Sequence, residues 1–231
     1  MIELVDLHLG PIQGLNLTLA EGKIYALLGP TGSGKTSLMR CMAGIEVPLK
    51  GFVAIHGRQL YTDPDLDAAH RAVVGVVFDT HASLPDQTVL ENVRLPLDLR
   101  GVPVETGDEK AQRLLDELGI GEASQKLPGE LSGGMLTRLQ LARALIHDPH
   151  FLVMDGPTAG LDPVTASRSM RMIARLVRPR GATAVISTQD IRSALPHVDG
   201  IVLMSSGLAR GPLPPVLAGD VLDFSEGHRP W

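Results

Sequence analysis

The chain has 231 residues, of which 44% are hydrophobic and 20% are charged. That length suits one domain with a sizeable core and room for an inserted lobe. The net charge of −5 and the pI of about 5.9 exclude the strong basic field that non-specific nucleic-acid binding requires, so we expect no nucleic-acid partner. The single cysteine, Cys41, excludes an internal disulfide and is most simply a small buried apolar residue.

Hydropathy predicts neither a targeting segment nor a membrane span. The first residues, MIELVDLHLG, lack the basic and long apolar regions of a signal peptide. No window reaches the run of about eighteen uncharged apolar residues that a span requires. We therefore expect a cytoplasmic chain.

Two kinds of strand pattern follow one another along the chain. MIELVDLHLG, LNLTLAEG and GFVAIHGRQL alternate with period two, which favours an antiparallel β flank. KIYALLG, AVVGVVF, FLVMD, ATAVIST and GIVLMSSG are short apolar segments separated by helical patterns. Strand-then-helix alternation favours a mostly parallel sheet with helices on its faces, so the predicted fold class is α/β.

The pattern between Thr88 and Asp148 is helical. It predicts a helical subdomain at about 88–148, inserted between two parts of one core at about 1–87 and 149–231. The chain as a whole, 1–231, is predicted to be one domain. Its last segment, GPLPPVLAGDVLDFSEGHRPW, is either a loosely packed tail or, through Trp231, an anchor for a partner.

A glycine-rich stretch, ALLGPTGSGKTSLM, contains G-x-x-x-x-G-K-T between a strand pattern and a helix pattern. Such a loop turns its N–H groups inward, next to the positive end of the following helix. Lys35 is then expected to reach the β- and γ-phosphates of ATP, and Thr36 to bind Mg²⁺. The alternative is a glycine-rich turn with an exposed lysine. The predicted nucleotide-binding residues are Gly29, Pro30, Thr31, Gly32, Ser33, Gly34, Lys35, Thr36 and Ser37.

Asp155 ends the apolar segment FLVMD. A carboxylate at the carboxyl end of a parallel strand is placed to reach the Mg²⁺ of a bound nucleotide. The alternative interpretation is a turn residue or a helix N-cap.

Further segments resemble the ATP-binding cassette (ABC) ATPases. GELSGGMLTRLQLARALIHDP resembles their signature, DGPTAGLDP their Walker B and D-loop, and TVLENVRLPL the segment after their Q-loop. The residues in place of the LSGGQ signature are Leu131, Ser132, Gly133, Gly134 and Met135. Asp162 matches the D-loop aspartate, although an aspartate before proline is also an ordinary turn. Independently of the family, Ser132 and two glycines before a helix offer a hydroxyl and free N–H groups, whereas SGG alone is more often a flexible turn.

The resemblance covers almost the whole chain. It implies a P-loop NTPase (RecA-like) core and a head-to-tail cassette dimer in which each ATP lies between one chain's P-loop and the other's LSGG. It also implies a transmembrane transporter subunit as partner, which would hold the chain at the inner face of the cell membrane. Asp79 to Arg100 would receive that partner, with Leu84, Leu95 and Leu97 as candidate contacts, although core packing explains these leucines equally well.

Four departures from the family pattern concern chemistry. Gly156 replaces the glutamate that polarises the attacking water, and Gln189 replaces the histidine that contacts the γ-phosphate. Asp79 replaces the Q-loop glutamine and is a further candidate Mg²⁺ ligand. No aromatic residue occurs at 1–23, where the family stacks one on adenine; His8 is the nearby substitute, and a plain surface histidine is the simpler interpretation.

The groups that bind nucleotide are thus present and those that handle water are not. We hypothesise that the site binds Mg-ATP with impaired or absent hydrolysis, and that LSGGM completes the site of a catalytically intact heterodimer partner. Asp190 is an alternative base. The competing function is a non-transport cytosolic cassette that acts as a scaffold or switch, whereas a P-loop small-molecule kinase gives no reason for LSGG.

Overall fold

The computed structural model describes residues 1–61, 73–78 and 83–215. The strands within these ranges are β1 (Ile2–Leu9), β2 (Ile12–Leu19), β3 (Ile24–Leu28), β4 (Lys50–Ile55), β5 (Arg58–Gln59), β6 (Val74–Val77), β7 (Phe151–Asp155), β8 (Thr183–Thr188), β9 (Gly200–Ser205) and β10 (Leu208–Leu213). The α-helices are α1 (Lys35–Met42), α2 (Val89–Asp98), α3 (Val104–Glu117), α4 (Gly133–Leu145), α5 (Pro163–Val177) and α6 (Ile191–Ala194). No helix of the described residues has the length and apolar character needed to cross a membrane.

The strands form two sheets, as the two patterns predict. The four-stranded sheet has the order β2-β1-β4-β5, and all its pairs are antiparallel. The six-stranded sheet has the order β10-β9-β3-β8-β7-β6 and is parallel except for the β9–β10 pair. The α/β class with a parallel core and an antiparallel flank is therefore confirmed.

The six-stranded sheet is apolar on both faces because each face is covered. On one face Tyr25 and Leu27 join α1 and the antiparallel sheet in a core that includes the buried Cys41. On the other face Ile24 and Ala26 join helices α2 to α5. Burying a large apolar side chain such as that of Leu27 or Ile24 contributes about 1.5–3 kcal/mol to stability. The parallel strands are thereby held in register from both sides.

Helices α2, α3 and α4 follow one another between β6 and β7, where the helical pattern was predicted. The division at about residues 88 and 148 stays a prediction. For Leu97 the core-packing alternative holds: it is buried, because it continues the face of α2 that packs Val89 and Val93 into the core. Leu84 is exposed and Leu95 is half-buried.

The proline-rich C-terminal segment begins inside the sheet. Residues 211–213 belong to β10, which contradicts a loose tail starting at Gly211. Pro212 is tolerated there because β10 is an edge strand, where one ladder N–H can be missing. Trp231 and the other residues after 215 lie outside the described residues.

The buried ring of His147 leads us to expect that the stability of the fold depends on pH. Its Nε2 donates to the Val74 carbonyl at 3.2 Å, and its Nδ1 is buried with no partner in the described structure. Burial lowers the pKa of His147 below its ordinary value of 6.5, so the unfolded chain takes up the proton first. The contribution of His147 to the free energy of unfolding is therefore fully present above about pH 6.5 and is lost as the pH falls through the lower pKa of the folded state.

We expect the free energy of unfolding, measured with urea, to fall between about pH 7 and pH 5, and to fall less in His147→Gln.

The nearby exposed His150 provides the matched control. His150→Gln should keep the wild-type pH profile of unfolding. Identical profiles for all three proteins would contradict a role for His147.

Candidate functional site

A cleft of about 630 Å³ opens at the carboxyl ends of β3, β8 and β7. These strands are neighbours in the parallel sheet, and ligands of open α/β sheets bind at this edge. The walls come from the loop before α1, the segment after β7 and the end of β8, together with Pro11 from the turn between β1 and β2. The cleft thus brings together four separate segments of the chain.

The glycine-rich loop lies between β3 and α1, the strand-to-helix setting that its sequence predicts. A side chain at Gly29 would collide with the Met204 carbonyl, and Gly34 caps α1 with a φ of +100°, so both positions require glycine. The first-turn N–H groups of α1 have no partner within the helix and carry its positive partial charge. This loop can hold a polyphosphate.

Lys35 bends back over this loop. Its ammonium donates to the carbonyls of Gly29 and Pro30, both at 2.8 Å. Burial lowers the pKa of Lys35, while the nearby Asp155 carboxylate acts in the opposite direction. The cation is therefore already inside the loop, within reach of a bound phosphate chain.

Asp155 is held by two hydroxyl groups. The Thr36 hydroxyl donates to its Oδ2 at 2.7 Å, and the buried Ser187 hydroxyl donates to its Oδ1. Parallel pairing of β7 with β8 sets Asp155 directly beside Ser187. The turn or N-cap alternative for Asp155 is not what the structure shows.

The Thr36 and Asp155 oxygens fit a Mg²⁺ ion, which prefers hard oxygen ligands. In the described residues no group of three or more His, Cys, Asp or Glu side chains could hold a metal by itself. An ion here would take its remaining ligands from phosphate and water, as Mg²⁺ does in nucleotide sites.

Gly156 and Gln189 both line the cleft, so the two described departures from the family pattern lie next to the binding groups. Gly156 has a φ of +64°, and its N–H donates to the Ser187 hydroxyl at 2.9 Å. Neither residue offers a carboxylate or an imidazole. The third departure, Asp79, lies outside the described residues.

Asp190 lines the cleft, but its carboxylate binds backbone N–H groups. Its Oδ1 accepts from the N–H groups of Arg192 and Ser193 at 3.1 and 3.2 Å, which caps α6. A carboxylate used in this way is less available as a base.

His8 does not line the cleft. Its Nε2 lies 3.0 Å from Asp6 Oδ1, and Lys50 binds the other oxygen of that aspartate. The residue from this region that does line the cleft is Pro11. Sequence reasoning missed Pro11, although its position after Gly10, between two alternating segments, marks the turn.

The signature residues 131–135 are not part of the cleft lining. Ser132 caps α4 by accepting from the Met135 N–H at 3.4 Å, and Ser132, Gly133 and Gly134 are exposed. Asp162 is also exposed and caps α5, and its pKa is lowered chiefly by the hydrogen bond from the Thr165 side chain. The turn role of Asp162 is thus present within this chain, and any role toward a second chain is additional.

The fold and the cleft define a P-loop nucleotide-binding protein of the α/β class. Residues 12–159, more than half of the chain, match the family model described as ABC transporter. The chain therefore belongs to the ABC transporter family, as an ATP-binding subunit.

Three comparisons illustrate this membership. The lipoprotein-releasing system ATP-binding protein LolD of Geobacter metallireducens is 38% identical over 185 residues, which cover 79% of this chain and 82% of the relative. The methionine import ATP-binding protein MetN of Streptomyces griseus is 34% identical over 210 residues, 87% of this chain and 58% of the relative. The structure of the ATP-binding cassette MJ0796, a dimer bound to ADP and Pi, has a TM-score of 0.84 at 27% identity and covers 93% of this chain and 99% of that chain.

The left-handed backbone conformation at residue 156 predicts that any residue other than glycine destabilises the fold there. An added Cβ at Gly156 would contact only Ala159, at an ordinary 3.5 Å, so the penalty is conformational. We expect Gly156→Ala to lower the free energy of unfolding by about 1–2 kcal/mol in urea denaturation. Gly129 is exposed, has no neighbour within 4 Å of an added Cβ and lacks a left-handed φ, so Gly129→Ala is the matched control. Equal stability losses in the two variants would contradict the argument.

Proposed function

We propose that this chain binds Mg-ATP through the loop at residues 29–37 and hydrolyses it slowly or not at all. The observation that carries the proposal is the composition of one cleft. Lys35, Thr36 and Asp155 converge there, while Gly156 occupies the position that carries a water-polarising glutamate in the family pattern. Different residues thus bind the phosphates with Mg²⁺ and activate the water, and in this proposal only the first group is present.

Each binding residue has a distinct role in this proposal. Lys35 would exchange its two carbonyl partners for β- and γ-phosphate oxygens, which are stronger acceptors. Thr36 and Asp155 would hold the Mg²⁺, which neutralises charge on the phosphates when bound. Asp79 is proposed as a further ligand from sequence alone.

The proposed loss of hydrolysis follows from two side chains. Gly156 offers no acceptor to a water molecule, and the loss of a general base typically costs about 10²–10⁴-fold in rate. Gln189 can donate a hydrogen bond but carries no positive charge, so it stabilises the charge of the transition state less than an imidazolium does.

We further propose a head-to-tail heterodimer with a catalytically intact cassette. Ser132 and the N-terminus of α4 are exposed and lie outside this chain's own cleft, which supports a role toward a nucleotide held by another chain. The dimeric form of MJ0796 is consistent with pairing of this kind. In such a pair, Leu131 to Met135 would complete the partner's site and Asp162 would contact the partner.

A separate transmembrane subunit is the proposed target of this pair. LolD and MetN are named for lipoprotein release and methionine import, which supports a transport role over a cytosolic scaffold. The chain would then sit at the inner face of the cell membrane through that subunit, with the exposed Leu84 and the half-buried Leu95 as candidate contacts.

Single-turnover hydrolysis tests the nucleotide proposal. The purified chain in large excess is incubated with labelled Mg-ATP, and both bound nucleotide and released phosphate are followed. We expect binding, with hydrolysis about 10²–10⁴-fold slower than in a cassette that has the glutamate. Lys35→Ala is the control and should abolish binding. Rapid cleavage that Lys35→Ala removes would disprove the loss of hydrolysis, and absence of binding by the wild-type chain would disprove the proposed function.

The composition of the native complex tests the pairing. The tagged chain is purified from its own cells in mild detergent, and the subunits are identified and counted by mass spectrometry. We expect one copy of this chain, one different cassette with a glutamate after its Walker B aspartate, and membrane-spanning subunits. Two copies of this chain without another cassette would rule out the heterodimer.

A further inference from the structure

Ser187, at the end of β8, links two residues of the cleft. Only 3% of its surface is exposed, and parallel pairing sets it beside Asp155. Its hydroxyl donates to Asp155 Oδ1 and accepts from the Gly156 N–H at 2.9 Å. One buried hydroxyl group therefore fixes both a carboxylate and the turn that follows it.

The two oxygens of Asp155 differ in their surroundings as a result. Oδ1 is bound by the buried Ser187, whereas Oδ2 is bound at 2.7 Å by the Thr36 hydroxyl on the exposed side. The terminal torsion of an aspartate is broad and roughly two-fold, so without a partner on Oδ1 the carboxylate can rotate. The hydrogen bond from Ser187 removes that freedom.

A buried serine can also be satisfied in a purely structural way. Serine hydroxyls most often bond to nearby backbone groups, and such a bond would leave Asp155 free. Here the hydroxyl donates its single proton to the carboxylate and accepts a hydrogen bond from the Gly156 N–H. Gly156 has a φ of +64°, which only glycine adopts readily. Both bonding partners, Asp155 and Gly156, line the cleft.

We propose that Ser187 is a positioning residue for the divalent cation: it holds Asp155 so that Oδ2, next to Thr36, faces the metal. This inference rests on the proposed function, in which the cleft binds Mg-ATP. Partners that orient a metal ligand typically change metal affinity by about 10–100-fold when they are removed. Ser187 would act in the same way, through Asp155 and without touching the metal.

The test compares nucleotide binding with and without metal. The dissociation constant of a fluorescent ATP analogue is measured in excess Mg²⁺ and again in EDTA. We expect Ser187→Ala to weaken binding in Mg²⁺ by at least about tenfold and to leave binding in EDTA unchanged. Ser187→Thr keeps the hydroxyl and should retain most of the Mg²⁺ effect. It also provides a folded test protein if the alanine variant is unstable.

Thr183 offers a matched control on the same strand. Its side chain is also 3% exposed, and its hydroxyl accepts from the Gly22 N–H at 2.9 Å at the other end of β8. Thr183→Ala should keep the wild-type ratio of the two dissociation constants, whatever it does to stability. A general loosening of β8 would instead change this ratio in both alanine variants.

The outcomes separate the two proposals. If the wild-type chain binds the nucleotide in neither condition, or equally in both, the proposed Mg-ATP function fails. If the wild-type chain depends on Mg²⁺ and Ser187→Ala keeps that dependence, the positioning role is overturned and the Mg-ATP function stands. Equal weakening of Ser187→Ala in Mg²⁺ and in EDTA also overturns the positioning role, because it shows a structural contribution only.

Discussion

The cleft depends on the contact between Thr36 and Asp155, two residues 119 positions apart in the chain. Strand β8 lies between β3 and β7, so the parallel ladder brings the loop after β3 close to the end of β7. The two cores pack on the faces of this sheet and hold the ends of β3, β8 and β7 next to one another. The position of the Thr36 and Asp155 oxygens therefore follows from the packing of the whole domain.

The sequence predicts the parts of the site that local physics determines. A glycine-rich loop between a strand and a helix has few conformations. An aspartate that ends an apolar strand lies at the carboxyl edge of a parallel sheet. It does not predict the partner of Ser187, because that depends on which strand lies next to β7. It leaves open whether Leu97 contacts a partner or packs in the core, because the apolar character of one helical residue does not show which side of the helix faces the core.

Binding and hydrolysis place different demands on a fold of this kind. The phosphate loop uses backbone N–H groups and a helix end, which persist as long as β3 and α1 are packed. Water activation rests on single side chains at the rim of the cleft, and these contribute little to the core. The fold can therefore keep the first function and lose the second, which is the combination proposed for this chain.

Gly156 and Ser187 belong to one local arrangement. The N–H of Gly156 reaches Ser187 only because the backbone turns at a φ of +64°, a region that costs other residues about 1–2 kcal/mol. A glutamate at this position would have to pay that conformational cost or change the turn and give up the bond to Ser187. Because the same hydroxyl also holds Asp155, a change in the turn would disturb that carboxylate, the proposed metal ligand, as well. The arrangement that lacks the glutamate is thus internally consistent, and it favours a site specialised for binding.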